Sequence, residues 1–285
     1  MKKNVPLLSL NVPVVPYEFQ NAKNFDTHMS TTIPTPLPQA NIPKHPSEEQ
    51  AEFIRHWNTK LAASEPEEIL RWAVDVYASK LTMATALGNS GCVILSILAK
   101  LKTKIPIFNL DTGYQFPETL ELLEQINSKY GLDVCRKTPE LSVEEYESQN
   151  GGAVYRTDTN RCCYERKIQL LEQIAPHYDA WISGLRRDQS PTRANTPVVG
   201  WDAKFGLVKI APLAFWTGKQ VWSKIIAESI PYNKLLDQGY TSIGCAPCTR
   251  QTLPGEDERA GRWSGQAKTE CGLHLVNQSL SSSEL

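Results

Sequence analysis

Four cysteines stand in two close pairs, Cys162-Cys163 and Cys245-Ala246-Pro247-Cys248. Paired thiolates of this kind hold either a structural zinc or an iron–sulfur cluster. Consecutive side chains diverge, which suits one tetrahedral ion poorly and a cubane, with several irons to offer, better. Buried thiols with no ligand are the plain alternative. The chain has 7 Cys, so complete intramolecular pairing is impossible. Cys92 and Cys135 fall in apolar stretches and are expected in the core. Cys271 stands apart, in Lys268-Thr269-Glu270-Cys271-Gly272-Leu273-His274. Nearby positive charge lowers a thiol pKa and makes a nucleophile, and Lys268 and His274 supply it here; the competing reading is an ordinary exposed thiol.

Basic residues gather in three places: Arg161, Arg166 and Lys167 around the first cysteine pair, Arg186 with Arg187, and Arg259 with Arg262. Singly, each is best explained by surface pairing with Asp or Glu. Converging, their forks would make a pocket for phosphate or sulfate oxygens. Two turns also carry polar groups suited to a nucleotide. Leu87-Gly88-Asn89-Ser90-Gly91 offers free N–H groups at a helix start, or serves merely as a glycine turn. Asp111-Thr112-Gly113-Tyr114 puts a carboxylate and a hydroxyl where ribose or adenine could be met; Asp111 as a helix cap is the alternative.

The elements that must position these residues follow from hydrophobic period. Prolines crowd residues 1–46, which read as a loose arm. Helices begin at Ser47, with Gln50 at the capping-box position, and at Ser64. From Leu81 short apolar runs alternate with helical stretches: strands at Leu81–Leu87, Ile105–Leu110, Leu132–Arg136, Ala180–Ser183 and Leu207–Ile210, with helices to Leu101, over Phe116–Tyr130, Cys163–Ile174 and Thr217–Ile230. Such alternation predicts an α/β fold, a mostly parallel sheet with flanking helices, over residues 47–240. Residues 241–285 form an irregular cysteine-bearing C-terminal segment organised by a ligand or docked on the main domain.

The chain has 285 residues, a net charge of -1 and 41% hydrophobic residues. No basic surface for nucleic acid and no membrane span are expected, and the Met-Lys-Lys start lacks a cleavage site, so the chain reads as cytoplasmic.

With these residues in view, the chain resembles the thioredoxin-dependent assimilatory adenylyl-sulfate (APS) reductases of the PAPS/APS reductase family. The resemblance spans about Leu81 to Leu275. It rests on Arg161-Cys162-Cys163 with Lys167, Gly244-Cys245-Ala246-Pro247-Cys248-Thr249-Arg250, Glu256 to Trp263 and Glu270-Cys271-Gly272-Leu273-His274. It implies an adenine-nucleotide α-hydrolase-like sheet, a 4Fe-4S cluster on Cys162, Cys163, Cys245 and Cys248, and Cys271 as catalytic nucleophile on a mobile C-terminal segment. Cys271 would take the sulfonate from adenylyl sulfate and expel AMP; reduced thioredoxin, or a glutaredoxin, would then release sulfite. Substrate contacts are implied for Lys167, Arg186 or Arg187, Arg259, Arg262 and His274, beside Gly88, Asp111 and Thr112 in the two turns. The loop Thr85 to Cys92 departs from the family's Ser-x-Gly turn, so preference for adenylyl sulfate over its 3'-phosphorylated form (PAPS) rests on the cysteine pairs, and a PAPS reductase or a dual-specificity enzyme is the alternative. A cluster-dependent tRNA sulfur transferase and a zinc-stabilised binding module are the remaining readings. Homo-oligomerisation is left open.

Overall fold

The computed structural model describes residues 43–266, 268, 270, 272 and 273. The proline-rich arm lies outside them, apart from its last residues. A sheet of six strands runs in the order β3-β2-β1-β4-β6-β5. It comprises β1 (Leu81–Thr85), β2 (Ile107–Leu110), β3 (Val134–Lys137), β4 (Ala180–Ile182), β5 (Val199–Asp202) and β6 (Leu207–Ile210). Neighbours are parallel from β3 through β6, and only β5 pairs antiparallel, with β6. Chain order reverses direction between β1 and β4, which opens a crevice at their carboxyl ends.

The core lies against this sheet. Helix α1 (Glu48–Leu61) opens on the capping box of Ser47 and Gln50, and α2 (Pro66–Tyr77) follows. Helix α3 (Asn89–Lys100) buries Cys92, Val93, Ile94, Leu95, Ile97 and Leu98. A helix apolar on every side must be covered on every side. Helices α2, α4 (Pro117–Tyr130) and α9 (Gly218–Ala227) all contact it. Strand β5 is an edge, and Asn58 of α1 accepts hydrogen bonds there from the Val198 and Val199 N–H groups at 2.9 and 3.2 Å. An edge met in this way is closed to further strand pairing. No helix among the described residues is long and apolar enough to cross a membrane.

Several expectations need correction. The second helix is not capped by Ser64: its N-cap is Glu65, without a side-chain bond, because Pro66 occupies the first turn with φ preset and no N–H to satisfy. Strand β5 was not foreseen, since Gly200 and the adjoining Pro197 mask a short edge strand. Helices α5 (Val143–Gln149) and α6 (Val154–Thr157) are likewise new. The helix expected over Cys163–Ile174 starts earlier and is interrupted: α7 (Thr159–Cys163), capped by Asp158, passes through a π-helical turn (Tyr164–Ile168) into α8 (Gln169–Ile174). Thr217 caps α9, which ends at Ala227 rather than Ile230. Cys92 is fully buried, its thiol pushed up to about 12 by that burial, whereas Cys135 is only half-buried on the edge strand β3.

The β1–α3 turn makes a stability test. A Cβ on Gly91 would stand 2.7 Å from Thr85 Oγ1, which already accepts the Leu87 N–H at 3.0 Å, whereas nothing lies within 4 Å of a Cβ on Gly88. In urea unfolding, Gly91→Ala is expected to cost about 1–3 kcal/mol and Gly88→Ala less than about 0.5 kcal/mol. Equal costs would contradict the packing described here.

Candidate active site

The crevice between β1 and β4 holds a cavity of about 460 Å³, lined by Met83–Gly91 on one side and Ser183–Arg186 on the other. Its floor is the N-terminus of α3. The N-cap Gly88 gives no side-chain cap, so the first N–H groups of the helix remain for an anionic ligand.

Arg186 fastens this cavity together. Its guanidinium is almost fully buried and donates to Ser90 Oγ at 2.7 Å, Asp188 Oδ1 at 2.9 Å and Glu258 Oε2 at 3.0 Å. One side chain thus joins the α3 N-terminus to the C-terminal segment. Burial raises the Glu258 carboxyl above its ordinary range, with Arg186 opposing the shift. Lys167, Arg193, Arg259 and Arg262 complete the cationic wall.

A second, smaller cavity of about 20 Å³ is lined by Cys162, Cys163, Cys245 and Cys248. Two helical cysteines arrive on α7, and the other two on the loop after Gly239. An antiparallel bridge between Gln115 and Cys245, with the Ala246 N–H donating to Tyr114 O at 2.7 Å, carries that loop to the sheet. Thr112 Oγ1 lies 3.2 Å from Cys245 Sγ. Behind Cys248, the Trp263 N–H donates to its carbonyl at 3.0 Å, and the Arg262 guanidinium stands 4.5 Å over the Trp263 ring. Gly244 lets the Arg262 guanidinium lie directly against the backbone, where a Cβ would have to displace it.

Two of the four thiols, Cys162 and Cys248, resist ionisation. Cys162 is pushed up to about 12, first by burial and then by Cys163, Cys245 and Cys248; Arg166 acts against the shift. Cys248 is pushed up to about 11 by burial, Cys245 and Cys163, with Arg262 and Lys268 opposing. Arg166 is buried and donates to the backbone carbonyls of Thr112 at 2.7 Å and Leu141 at 3.0 Å, its guanidinium lying 5.6 and 5.0 Å over the rings of Tyr114 and Tyr146. Among the described residues, no group of three or more His, Cys, Asp or Glu side chains gathers closely enough for one metal ion.

The two cavities share a wall. Lys167, on the π-helical turn, and Arg262 line both. Of the residues singled out in the sequence, Gly88, Lys167, Arg186, Arg259 and Arg262 line the large cavity, and the four paired cysteines line the small one. Arg187 does not meet them: its guanidinium lies 4.0 Å over the Phe215 ring and donates to Thr196 O at 2.7 Å. Asp111 accepts the Gly113 N–H at 2.9 Å and stands 3.6 Å from Arg136, so it shapes its own turn outside the large cavity. Thr112 lines the cysteine cavity instead. Cys271 and His274 lie outside the described residues. Ser90, Arg193, Glu258 and Glu270 had not been singled out as site residues; Glu258 and Glu270 lie inside two of the motifs named above, but it is the burial of their arginine partners that shows their roles.

The chain matches the family model described as phosphoadenosine phosphosulfate reductase domain over residues 80–251. It is 47% identical over 207 residues to an adenosine 5'-phosphosulfate reductase of Bacillus pumilus, covering 72% of this chain and 89% of that one. Identity is 44%, at the same coverage, to adenosine 5'-phosphosulfate reductase 1 of Bacillus subtilis. Among solved structures, the phosphoadenylyl-sulfate reductase of Candida auris in its phosphate complex aligns with a TM-score of 0.63 at 30% identity, covering 71% of this chain and 97% of the other. The match takes in both cysteine pairs, Lys167, Arg186 and the crevice between β1 and β4, and the chain therefore belongs to the phosphoadenosine phosphosulfate reductase domain family.

Proposed function

We propose that this protein reduces adenylyl sulfate to sulfite and AMP in the cytoplasm, for sulfate assimilation, with thioredoxin or a glutaredoxin as the thiol donor. The observation that carries the reading is the wall of Lys167 and Arg262 common to a nucleotide-sized crevice and a four-thiol cavity. The Cys271 thiolate attacks the sulfur of adenylyl sulfate; the S–S bond forms, the S–O bond breaks, and AMP leaves with the bonding pair. A donor thiolate then attacks Cys271 Sγ and releases sulfite. The donor's second thiol resolves the mixed disulfide, so its dithiol supplies both electrons. Lys167, Arg259 and Arg262 offset the charge gathering on the phosphosulfate, and the α3 N-terminus faces its oxygens.

The four paired cysteines fit a 4Fe-4S cluster better than a zinc ion. They line one cavity, two of them adjacent in sequence with diverging side chains, and a cubane takes one thiolate at each iron. Crowded thiols that resist joint ionisation are the ligand set that a cationic centre stabilises. Cys162, Cys163, Cys245 and Cys248 would hold it, and it would supply structural and electrostatic support beside Lys167. The 47% and 44% identical relatives named for adenosine 5'-phosphosulfate favour the unphosphorylated nucleotide.

Anaerobically purified protein is expected to carry iron and sulfide in equal amounts, about four of each per chain, and to lose both in Cys162→Ser; one zinc per chain without sulfide would return the site to the zinc-module reading. With adenylyl sulfate and reduced thioredoxin, Cys271→Ser should make no sulfite while retaining iron. Lys167→Ala should keep its iron and lose about 100-fold in kcat/KM, on the scale of removing one preorganised donor. Undiminished turnover in either variant contradicts the proposed function.

A further inference from the structure

Glu270 precedes Cys271 in sequence, and its surroundings are out of keeping with a chain end. Its carboxylate is buried, 8% exposed, and Arg193 grips it with two parallel bonds, Nε to Oε1 and Nη2 to Oε2, both 2.7 Å. The Arg193 side chain is only 7% exposed. Arg259 approaches the same Oε2 at 3.3 Å, and Thr192 Oγ1 donates to Oε1 at 3.4 Å. Arg193 is itself held by Gln189, whose Oε1 accepts from Arg193 Nη1 at 2.6 Å and from the Arg186 N–H at 3.1 Å. On the other side of Cys271, Lys204 Nζ donates to Gly272 O at 2.9 Å. A Cβ at Gly272 would stand 2.5 Å from Ile168 Cδ1, so that backbone is seated closely on the π-helical turn. Leu273 lines the large cavity.

A buried bidentate pair between residues 77 apart in sequence is an expensive contact: both ions are desolvated, and the fork fixes orientation as well as distance. We infer that Arg193 and Glu270 are a positioning pair that docks the C-terminal segment at the rim of the nucleotide cavity, setting the approach of the residue that follows Glu270. This rests on the proposed role of Cys271. The pair touches neither reacting atom; it acts by fixing where the segment sits, which bears on the chemical step and not on nucleotide affinity.

The test compares Glu270→Gln, Arg193→Ala and the double variant with the iron-replete wild-type chain, each checked by its thermal melting. Glu270→Gln preserves shape and removes the charge, so it reports even if Arg193→Ala folds poorly. Amide hydrogen exchange over residues 264–273 should speed up at least about 10-fold in each variant. Turnover with adenylyl sulfate by Glu270→Gln, whose altered side chain does not line the cavity, should show kcat lowered about 10- to 100-fold with KM unchanged, and in kcat the double variant should be no worse than the poorer single one. Unchanged exchange, a rise in KM alone, or additive losses would overturn the inference. Should the wild-type chain make no sulfite at all, the proposed activity fails, and the exchange comparison alone decides whether the pair docks the segment.

Discussion

Burial and close cysteine neighbours oppose the ionisation of Cys162 and Cys248, and cationic side chains stand against that cost at both. Burial and mutual repulsion push Cys162 up to about 12, and Arg166 works against the shift. That guanidinium is buried, and the Thr112 and Leu141 carbonyls and the tyrosine rings offset the cost of its desolvation. Arg262 and Lys268 work likewise against the shift of Cys248.

The same cations reach the neighbouring crevice because of where the chain is bent. The π-helical turn Tyr164–Ile168 adds a residue to the helix after Cys163, and π-turns of this kind recur at functional sites. Lys167 on that turn lines both cavities while Arg166 is directed into the core. The sheet supplies the other half. Reversal of strand order between β1 and β4 opens the crevice, and Arg186 then ties α3 to the C-terminal segment across it through Ser90 and Glu258. Buried arginines thus help to join the sheet, the cysteine loop and the C-terminal segment.

Much of this was legible in the sequence. The alternation from Leu81 onward places β1, β2 and β4 within a few residues, since strands buried on both faces read as continuous apolar runs. The cysteine spacing likewise shows the pairs that line one cavity. What was hidden depends on long-range pairing. Strand β5 has too short and too glycine-broken a pattern to stand out, and exists because β6 and Asn58 satisfy it. Arginine position alone cannot distinguish Arg186, buried against Ser90 and Glu258, from Arg187, stacked on Phe215. Asp111 and Thr112 have the right chemistry at a strand end, but the turn consumes the carboxylate and faces the hydroxyl to Cys245. The proline-rich arm and Cys271 fall outside the described residues.

In the proposed reaction a cysteine of this chain takes the sulfonate from the nucleotide before any reductant acts. Peptide-resolved mass spectrometry of the anaerobic, iron-replete protein, mixed with adenylyl sulfate in the absence of thiols, tests it most directly. One sulfonate group on Cys271, removed by reduced thioredoxin and absent after mixing with AMP and sulfate, is the result predicted. An iron-replete protein that releases sulfite while Cys271 stays unmodified, or that forms no adduct with adenylyl sulfate or its 3'-phosphorylated form, would contradict it.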